Sequence, residues 1–259
     1  MTRALVTGAG IRLGRAMALY LADRGFDVAV HYVSSEGPAQ ETAAEVQALG
    51  RKSVTLKADL LDEAQVQGLL PKAAEALGGP ITFLVNNASI FEYDNIRTAT
   101  RQSWDRHLDS NLRAPFVLTQ AMAGQGLSAG TDENGEPLAT GLIVNMVDMR
   151  VRKLTPEFMS YTIAKMGLWA LTRTAAQALS PTIRVNAIGP GPTMQGHRQS
   201  QEHFQAQRSN TVLERGSNPS DITAALGYFL DAHAVTGQLL CVDGGQHLGW
   251  KTPDVLGVE

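Results

Sequence analysis

The chain has 259 residues, 44% of them hydrophobic and 18% charged, with a formal net charge of -3. That length supplies ample core for one large α/β domain or two small ones, and no repeat or low-complexity tract points to a solenoid or to disorder. No long like-charge run offers a nucleic-acid face or a membrane-attracted stripe, so a small-molecule partner is expected.

Directly after Met1, Thr2 and Arg3 the sequence turns apolar, which leaves no secretory leader, and nowhere do about 18 apolar residues run together as a membrane span requires. A cytoplasmic protein is expected. Short β-branched runs then alternate with longer helical patterns: strand 4–7 with helix 13–24, strand 27–32 with helix 38–49, strand 53–57 with helix 64–77. Gly25 and Gly50 stand where helix C-termini favour a left-handed residue, and Ser35 to Pro38 offers a cap with Pro in the first turn. The rhythm continues through strands 83–85, 142–147, 184–187 and 238–242, with helical stretches near 103–123, 157–179 and 220–231. Right-handed crossovers of this kind build a single doubly wound α/β domain over 1–259, a parallel sheet of about seven strands with helices on both faces.

Two stretches break the rhythm. Residues 124–141 hold the turn pair Asn134 and Gly135; 131–136 lacks the later carboxylates of a calcium loop and reads as a surface hairpin or turn. Residues 189–218, rich in Gly, Gln and Ser, form a long substrate loop of the kind that serves as a lid. His197 and His203, six apart, share no helix face, so no metal site is expected. The single cysteine, Cys241, lies in the apolar run 238–242 and reads as a reduced buried thiol.

After the first strand comes TGAGIRLG, 7–14, opening a helix. Glycines at 8, 10 and 14 let backbone N–H groups and a helix N-terminus approach a pyrophosphate, although an ordinary tight turn has the same composition. The second strand ends HYVSS, 31–35, with no carboxylate against a ribose 2′-hydroxyl; His31, Ser34 and Ser35 can donate to a 2′-phosphate, or the serines simply cap the next helix. Tyr161 and Lys165 form YxxxK on one helix face, and an ammonium a few ångströms away is expected to draw a phenol from its ordinary pKa of about 10 toward neutrality.

Together these motifs resemble the Rossmann-type short-chain dehydrogenases/reductases: TGxxxGxG at the first turn, NNAS at 86–89, Asn111, YxxxK and the Pro190-Gly191 turn, in that family's order from about residue 2 to 245. The resemblance implies a nicotinamide cofactor held by Gly8, Arg12, Leu13, His31, Tyr32, Ser34, Ser35, Asp59, Leu60, Asn87, Ala88, Ser89, Lys165, Pro190 and Gly191. Within it Asp59 faces the adenine amino group; read without it, Asp59 is a helix cap. NADPH is preferred over NADH, although Ser34 replaces the arginine of the HYxRS pattern.

Two departures narrow the resemblance to the pteridine reductases. Arg12 replaces the middle glycine, where its planar donors can bridge a pyrophosphate and a substrate. Asp148 stands 13 residues before Tyr161, where the family usually has a serine. A serine suits a carbonyl oxygen, whereas a carboxylic acid can help deliver a proton to a ring nitrogen, which hydride attack on a C=N bond makes negative. Phe91 matches the aromatic that stacks on the pterin, with Arg12, Ser89, Asp148 and Tyr161 around the substrate; alone, Phe91 reads as a packed loop aromatic.

The resemblance thus implies reduction of a dihydropterin, or a related pterin or folate, with Tyr161 as proton donor, Asp148 and Lys165 tuning it, and Asn111 holding a relay water; alternatively Asn111 is bonded to backbone. The competing readings are a carbonyl reductase acting on a 3-oxoacyl compound or sugar, and a catalytically silent NADP(H)-binding sensor or scaffold. Relatives imply a homotetramer, and the tail 248–259, with Trp250, reaches a neighbour's site or frays.

Overall fold

The computed structural model describes residues 2–196, 199–252 and 255. The alternation read from the sequence becomes β1 (Arg3–Val6), α1 (Arg12–Asp23), β2 (Asp27–Tyr32), α2 (Glu36–Ala48), β3 (Ser53–Lys57), α3 (Glu63–Leu77) and β4 (Phe83–Asn86). Then follow α4 (Arg101–Leu108), α5 (Ala114–Ala123), β5 (Gly130–Thr131), β6 (Pro137–Leu138), β7 (Gly141–Met146), α6 (Met159–Leu179), β8 (Ile183–Pro190), α7 (Gln201–Ser209), α8 (Pro219–Asp231) and β9 (Leu239–Val242). Seven of these strands form one parallel sheet in the order β3-β2-β1-β4-β7-β8-β9. The order reverses between β1 and β4, so a crevice opens at the carboxyl ends of those strands.

Alternate residues of each strand enter opposite cores. Ala4, Val6, Val28, Val30, Phe83 and Val85 pack with α1, α2 and α8, whereas Leu5, Ala29, Leu84 and Ile143 pack with α3, α5 and α6. With both faces covered, the central strands are apolar over most of their length, which is why the runs read as continuous and not alternating. Gly25 and Gly50 take φ of 88° and 77°, as helix-ending glycines do.

Three segments differ from the sequence expectation. The helix expected over 103–123 is divided by a π turn at Asp109–Arg113, because Pro115 has no N–H to give the carbonyl four residues before it. The loop 189–218 contains α7, capped by Ser200 accepting from the His203 N–H at 3.1 Å; it is polar almost throughout and buries none of its residues, so no apolar run marked it. Cys241 is only partly buried, and its burial pushes the thiol up to about 11. The polar stretch at 124–141 does form a hairpin, β5 against β6, with Asp132 accepting from the Asn134 and Glu136 N–H groups at 2.8 Å.

Among the described residues no helix is long and apolar enough to cross a membrane, and no three His, Cys, Asp or Glu side chains gather as a metal site would need. His197 lies outside the described residues, as does most of 253–259; Trp250 is exposed.

Candidate active site

The glycine turn between β1 and α1 is closed on itself. A Cβ on Gly14 would sit 2.1 Å from the Gly8 carbonyl oxygen, and Gly8 itself has φ of 63°, so neither position admits a side chain. Asn87 stitches the turn from the next strand: its Nδ2 donates to the Thr7 oxygen at 2.8 Å, while Thr7 Oγ1 accepts from the Asn87 and Ala88 N–H groups at 2.9 and 3.0 Å. The result is a backbone cradle at a helix N-terminus, a shape and polarity suited to a pyrophosphate.

His31 holds that cradle from below. It is fully buried; its Nδ1 accepts from the Gly8 N–H at 3.0 Å and its Nε2–H donates to the Ala58 oxygen at 2.9 Å. Burial holds its pKa below the ordinary histidine value, so it is neutral in this tautomer. The expectation that His31 donates to a 2′-phosphate is therefore corrected: both ring nitrogens are already committed. Of the serines that follow, Ser34 is exposed, while Ser35 stands at the N-cap of α2 without a side-chain capping bond.

Arg12 also departs from expectation. Its guanidinium donates to the Gln195 and Met194 carbonyls at 2.8 and 3.1 Å, tying the glycine turn to the loop after β8. It does so from φ of 54°, a left-handed conformation costing a non-glycine residue about 1–2 kcal/mol. Leu13 is half-buried in the first turn of α1, and Tyr32 is buried at the end of β2. Asp59 is not a helix cap: its carboxylate accepts from the Leu61 N–H at 3.0 Å, and Asp62 caps α3. Leu60 belongs to the core. Pro190 ends β8, and a Cβ on Gly191 would lie 2.6 Å from Asp243, so the chain turns there only with glycine.

Asp148, Tyr161 and Lys165 do converge. Tyr161 donates its hydroxyl hydrogen to Asp148 Oδ2 at 2.9 Å, Asp148 Oδ1 accepts from the Arg150 N–H at 2.8 Å, and Lys165 Nζ donates to the Met146 oxygen at 2.8 Å. Lys165 Nζ lies 5.6 Å from the centre of the Tyr161 ring. The expected drop in the phenol pKa is reversed: burial, and then the adjacent Asp148 carboxylate, raise Tyr161 well above its ordinary value. A serine would have contributed no such charge. Burial likewise raises Asp148, and it lowers Lys165 to about 8 against the opposing pull of Asp148. At neutral pH the phenol is therefore protonated. The side chain of Asn111 donates to the Ile90 oxygen at 2.8 Å and accepts from its N–H at 2.9 Å, the backbone bonding that the alternative reading describes.

Phe91, half exposed, meets Tyr161 edge-on at 4.7 Å. Its other contact was not foreseen: Phe158 stacks on it at 4.3 Å and 10°, and Arg150 lies over Phe158 at 4.9 Å. Phe158 is itself left-handed, with φ of 55°, at the start of α6. An aromatic residue three before Tyr161, hence one helical turn away, was the available signal. Ser89 is exposed after β4, its hydroxyl turned to the Ile90 oxygen at 3.5 Å. The chain can thus present a protonated phenol, a carboxyl group and an aromatic wall beside a phosphate cradle.

This arrangement defines a nucleotide-binding α/β protein with a tyrosine acid at the strand ends. A family model described as enoyl-(acyl carrier protein) reductase matches residues 8–247. The chain belongs to the short-chain dehydrogenase/reductase family of oxidoreductases. It is similar, at 32% identity over 93% of this chain and 94% of the other, to a short-chain dehydrogenase/reductase of Armillaria gallica. It is also 30% identical to the 3-oxoacyl-[acyl-carrier-protein] reductase FabG of Staphylococcus epidermidis, over 95% of this chain and 98% of that one. Among solved structures, the FolM alternative dihydrofolate reductase 1 of Brucella suis, in complex with NADP, is 41% identical with a TM-score of 0.90, covering 98% of each chain.

Proposed function

We propose that the protein reduces a dihydropterin, or a related pterin or folate, to its tetrahydro form with NADPH. The observation that carries this reading is the partner of Tyr161, a carboxyl group at 2.9 Å instead of a serine hydroxyl. The Brucella suis relative, described as an alternative dihydrofolate reductase with NADP, supports both the substrate class and the cofactor.

The residues present fit such a cofactor. Gly8, Gly10 and Gly14 form a cradle that side chains would fill, a Cβ on Gly10 lying 3.1 Å from Ser35 Oγ and the Ala39 nitrogen. Residues 31–35 offer no carboxylate to repel a 2′-phosphate, and the exposed Ser34 and partly exposed Ser35 remain as donors once His31 is committed to the turn. Tyr32, Leu13, Asp59, Leu60, Asn87, Ala88, Pro190 and Gly191 border the same strand ends. When bound, the nicotinamide supplies the hydride.

The chain's own residues then supply position and a proton. Tyr161 gives its proton to the nitrogen beside the carbon reduced, Asp148 holds the phenol hydrogen-bonded and protonated until then, and Lys165 stabilises the phenolate that results. Phe91 offers its open face to a flat heterocycle while Phe158 covers the other. Arg12 reaches the substrate loop, and the exposed Ser89, two residues before Phe91, offers a hydroxyl at the edge of that space.

Tyr161→Phe tests the reading: turnover of dihydrobiopterin or dihydromonapterin should fall at least a hundredfold while NADPH binding is retained, and an unchanged kcat refutes it. The similarity to FabG favours a second reading, a carbonyl reductase; a 3-oxoacyl thioester turned over faster than any dihydropterin would select it. A homotetramer is part of the proposal, to be read from the molar mass in solution.

A further inference from the structure

We propose that His107, Ser160 and Asp94 form a positioning unit that holds the proton donor Tyr161 in register with the aromatic wall at Phe91. All three side chains are buried, with exposures of 0%, 0% and 1%. Glu92, the residue after Phe91, donates its N–H to His107 Nε2 at 3.1 Å. A nitrogen that accepts carries no proton, so the other, Nδ1–H, donates to Ser160 Oγ at 2.7 Å. Ser160, the residue before Tyr161, passes its own hydroxyl hydrogen to Asp94 Oδ2 in a short bond. The directions are mutually consistent from end to end, and the chain of bonds runs from the neighbour of Phe91 to the neighbour of Tyr161.

Asp94 closes the unit on α6. The residue at the start of that helix, Phe158, is left-handed and has no side-chain oxygen to cap it. The cap comes instead from 66 positions earlier: Asp94 Oδ1 accepts from the Ser160 N–H at 3.1 Å, and its backbone oxygen accepts from Met159 N–H at 3.3 Å. A carboxylate favours a helix N-terminus electrostatically. The same Oδ2 accepts from Ser103 Oγ at 3.1 Å, which fastens the first turn of α4 to the assembly. A buried carboxylate is tolerable only when hydrogen-bonded this fully; burial alone would raise its pKa, but the bonds from Ser160 and Ser103 outweigh it and Asp94 remains ionised.

The trio is not a hydrolytic triad, since Ser160 is inaccessible and its hydroxyl hydrogen is already engaged in the bond to Asp94. Its effect is geometric. The His107 ring lies 6.0 Å from the Tyr161 ring, edge-on, and α6 cannot rotate or slide against the loop 91–94 without breaking the bonds at His107 or Asp94. A misplacement of about 1 Å between acid and substrate is enough to lower a rate by about a hundredfold.

The inference rests on Tyr161 being the proton donor, and kinetics of His107→Leu and His107→Gln test it with whichever dihydropterin the wild type turns over. His107→Leu should lower kcat at least tenfold and raise the dihydropterin KM, with NADPH affinity unchanged. His107→Gln, whose amide can accept from Glu92 and donate to Ser160, should recover most of the loss. Wild-type kinetics in the Leu variant, equal losses in both, or a parallel loss of NADPH affinity would overturn the proposal. Should the Leu variant not fold, Ser160→Ala, which removes only the hydroxyl, should show the same split in smaller measure, and unchanged kinetics there would overturn it. Tyr161→Phe in the same assay separates the two readings: normal turnover faults the proton donor, whereas an inactive Tyr161→Phe beside a wild-type His107→Leu faults the positioning unit alone.

Discussion

Replacing Asp148 by Asn removes one charge from the site and almost no volume, so its consequence can be worked from the geometry. The carboxylate lies 2.9 Å from the Tyr161 hydroxyl. At an effective dielectric of about 20, two unit charges at that distance interact by 332/(20 × 2.9), about 6 kcal/mol, or about four pKa units. That is a ceiling, because burial works against the Asp148 charge and the site relaxes around it; one to three units is the usual range for such neighbours. The sign is the same for both groups that face it. Asp148 raises the phenol and also raises Lys165, which burial otherwise holds at about 8. Without the anion both fall. The basic limb of the kcat/KM profile for NADPH-dependent dihydropterin reduction, where the protonated phenol or the ammonium is lost, should move about one to three units toward lower pH in Asp148→Asn. A basic limb that stays in place or moves upward refutes the electrostatic account of the Tyr161–Asp148 pair.

Arg12→Gly relieves the left-handed residue of about 1–2 kcal/mol while removing two exposed hydrogen bonds of about 1 kcal/mol each, so the changes nearly cancel. The melting temperature should stay within about 5 °C of the wild type, while substrate KM rises as the loop at Met194 and Gln195 loses its tie; a larger fall in Tm contradicts the balance. Buried His31 and His107 both have pKa values lowered chiefly by desolvation, so the unfolded chain binds protons more readily than the folded one below about pH 6.5. Stability should therefore be full above that pH and decline as it falls toward the folded values. Thermal melts between about pH 7.5 and 5.5 should show the loss, His31→Gln should shallow it, and a flat profile would remove the basis for neutral buried imidazoles.

The architecture was legible because the strands are short and mostly apolar and most helices end on a glycine or begin on a capping residue. Strands 27–32 and 53–57 match β2 and β3 residue for residue. What escaped was built from contacts between distant segments. The π turn at Asn111 depends on one missing N–H at Pro115, and α7 packs no side chain deeply enough to leave a periodic trace. In the site, Tyr161, Lys165 and Asp148 could be grouped by spacing, but spacing carries no dielectric. Only burial shows that the phenol rises in place of falling. His31 illustrates the same limit: its place at a strand end suggests a donor to a 2′-phosphate, yet its ring lies wholly inside, where two backbone groups engage both nitrogens.

The groups that define the chemistry all follow a strand: Arg12 after β1, Ser89 and Phe91 after β4, Asp148 after β7, Gly191 after β8. Beneath them the sheet is packed on both faces and shares little with these side chains. Such a molecule can change its trade without rebuilding its body. On the function proposed above, an exchange at position 148 would alter which atom of a substrate receives a proton while leaving the core contacts of the sheet in place. Arg12 is the exception, since its backbone is strained wherever it is placed in that turn. What accompanies that strain is reach, since its guanidinium ties the glycine turn to the loop after β8.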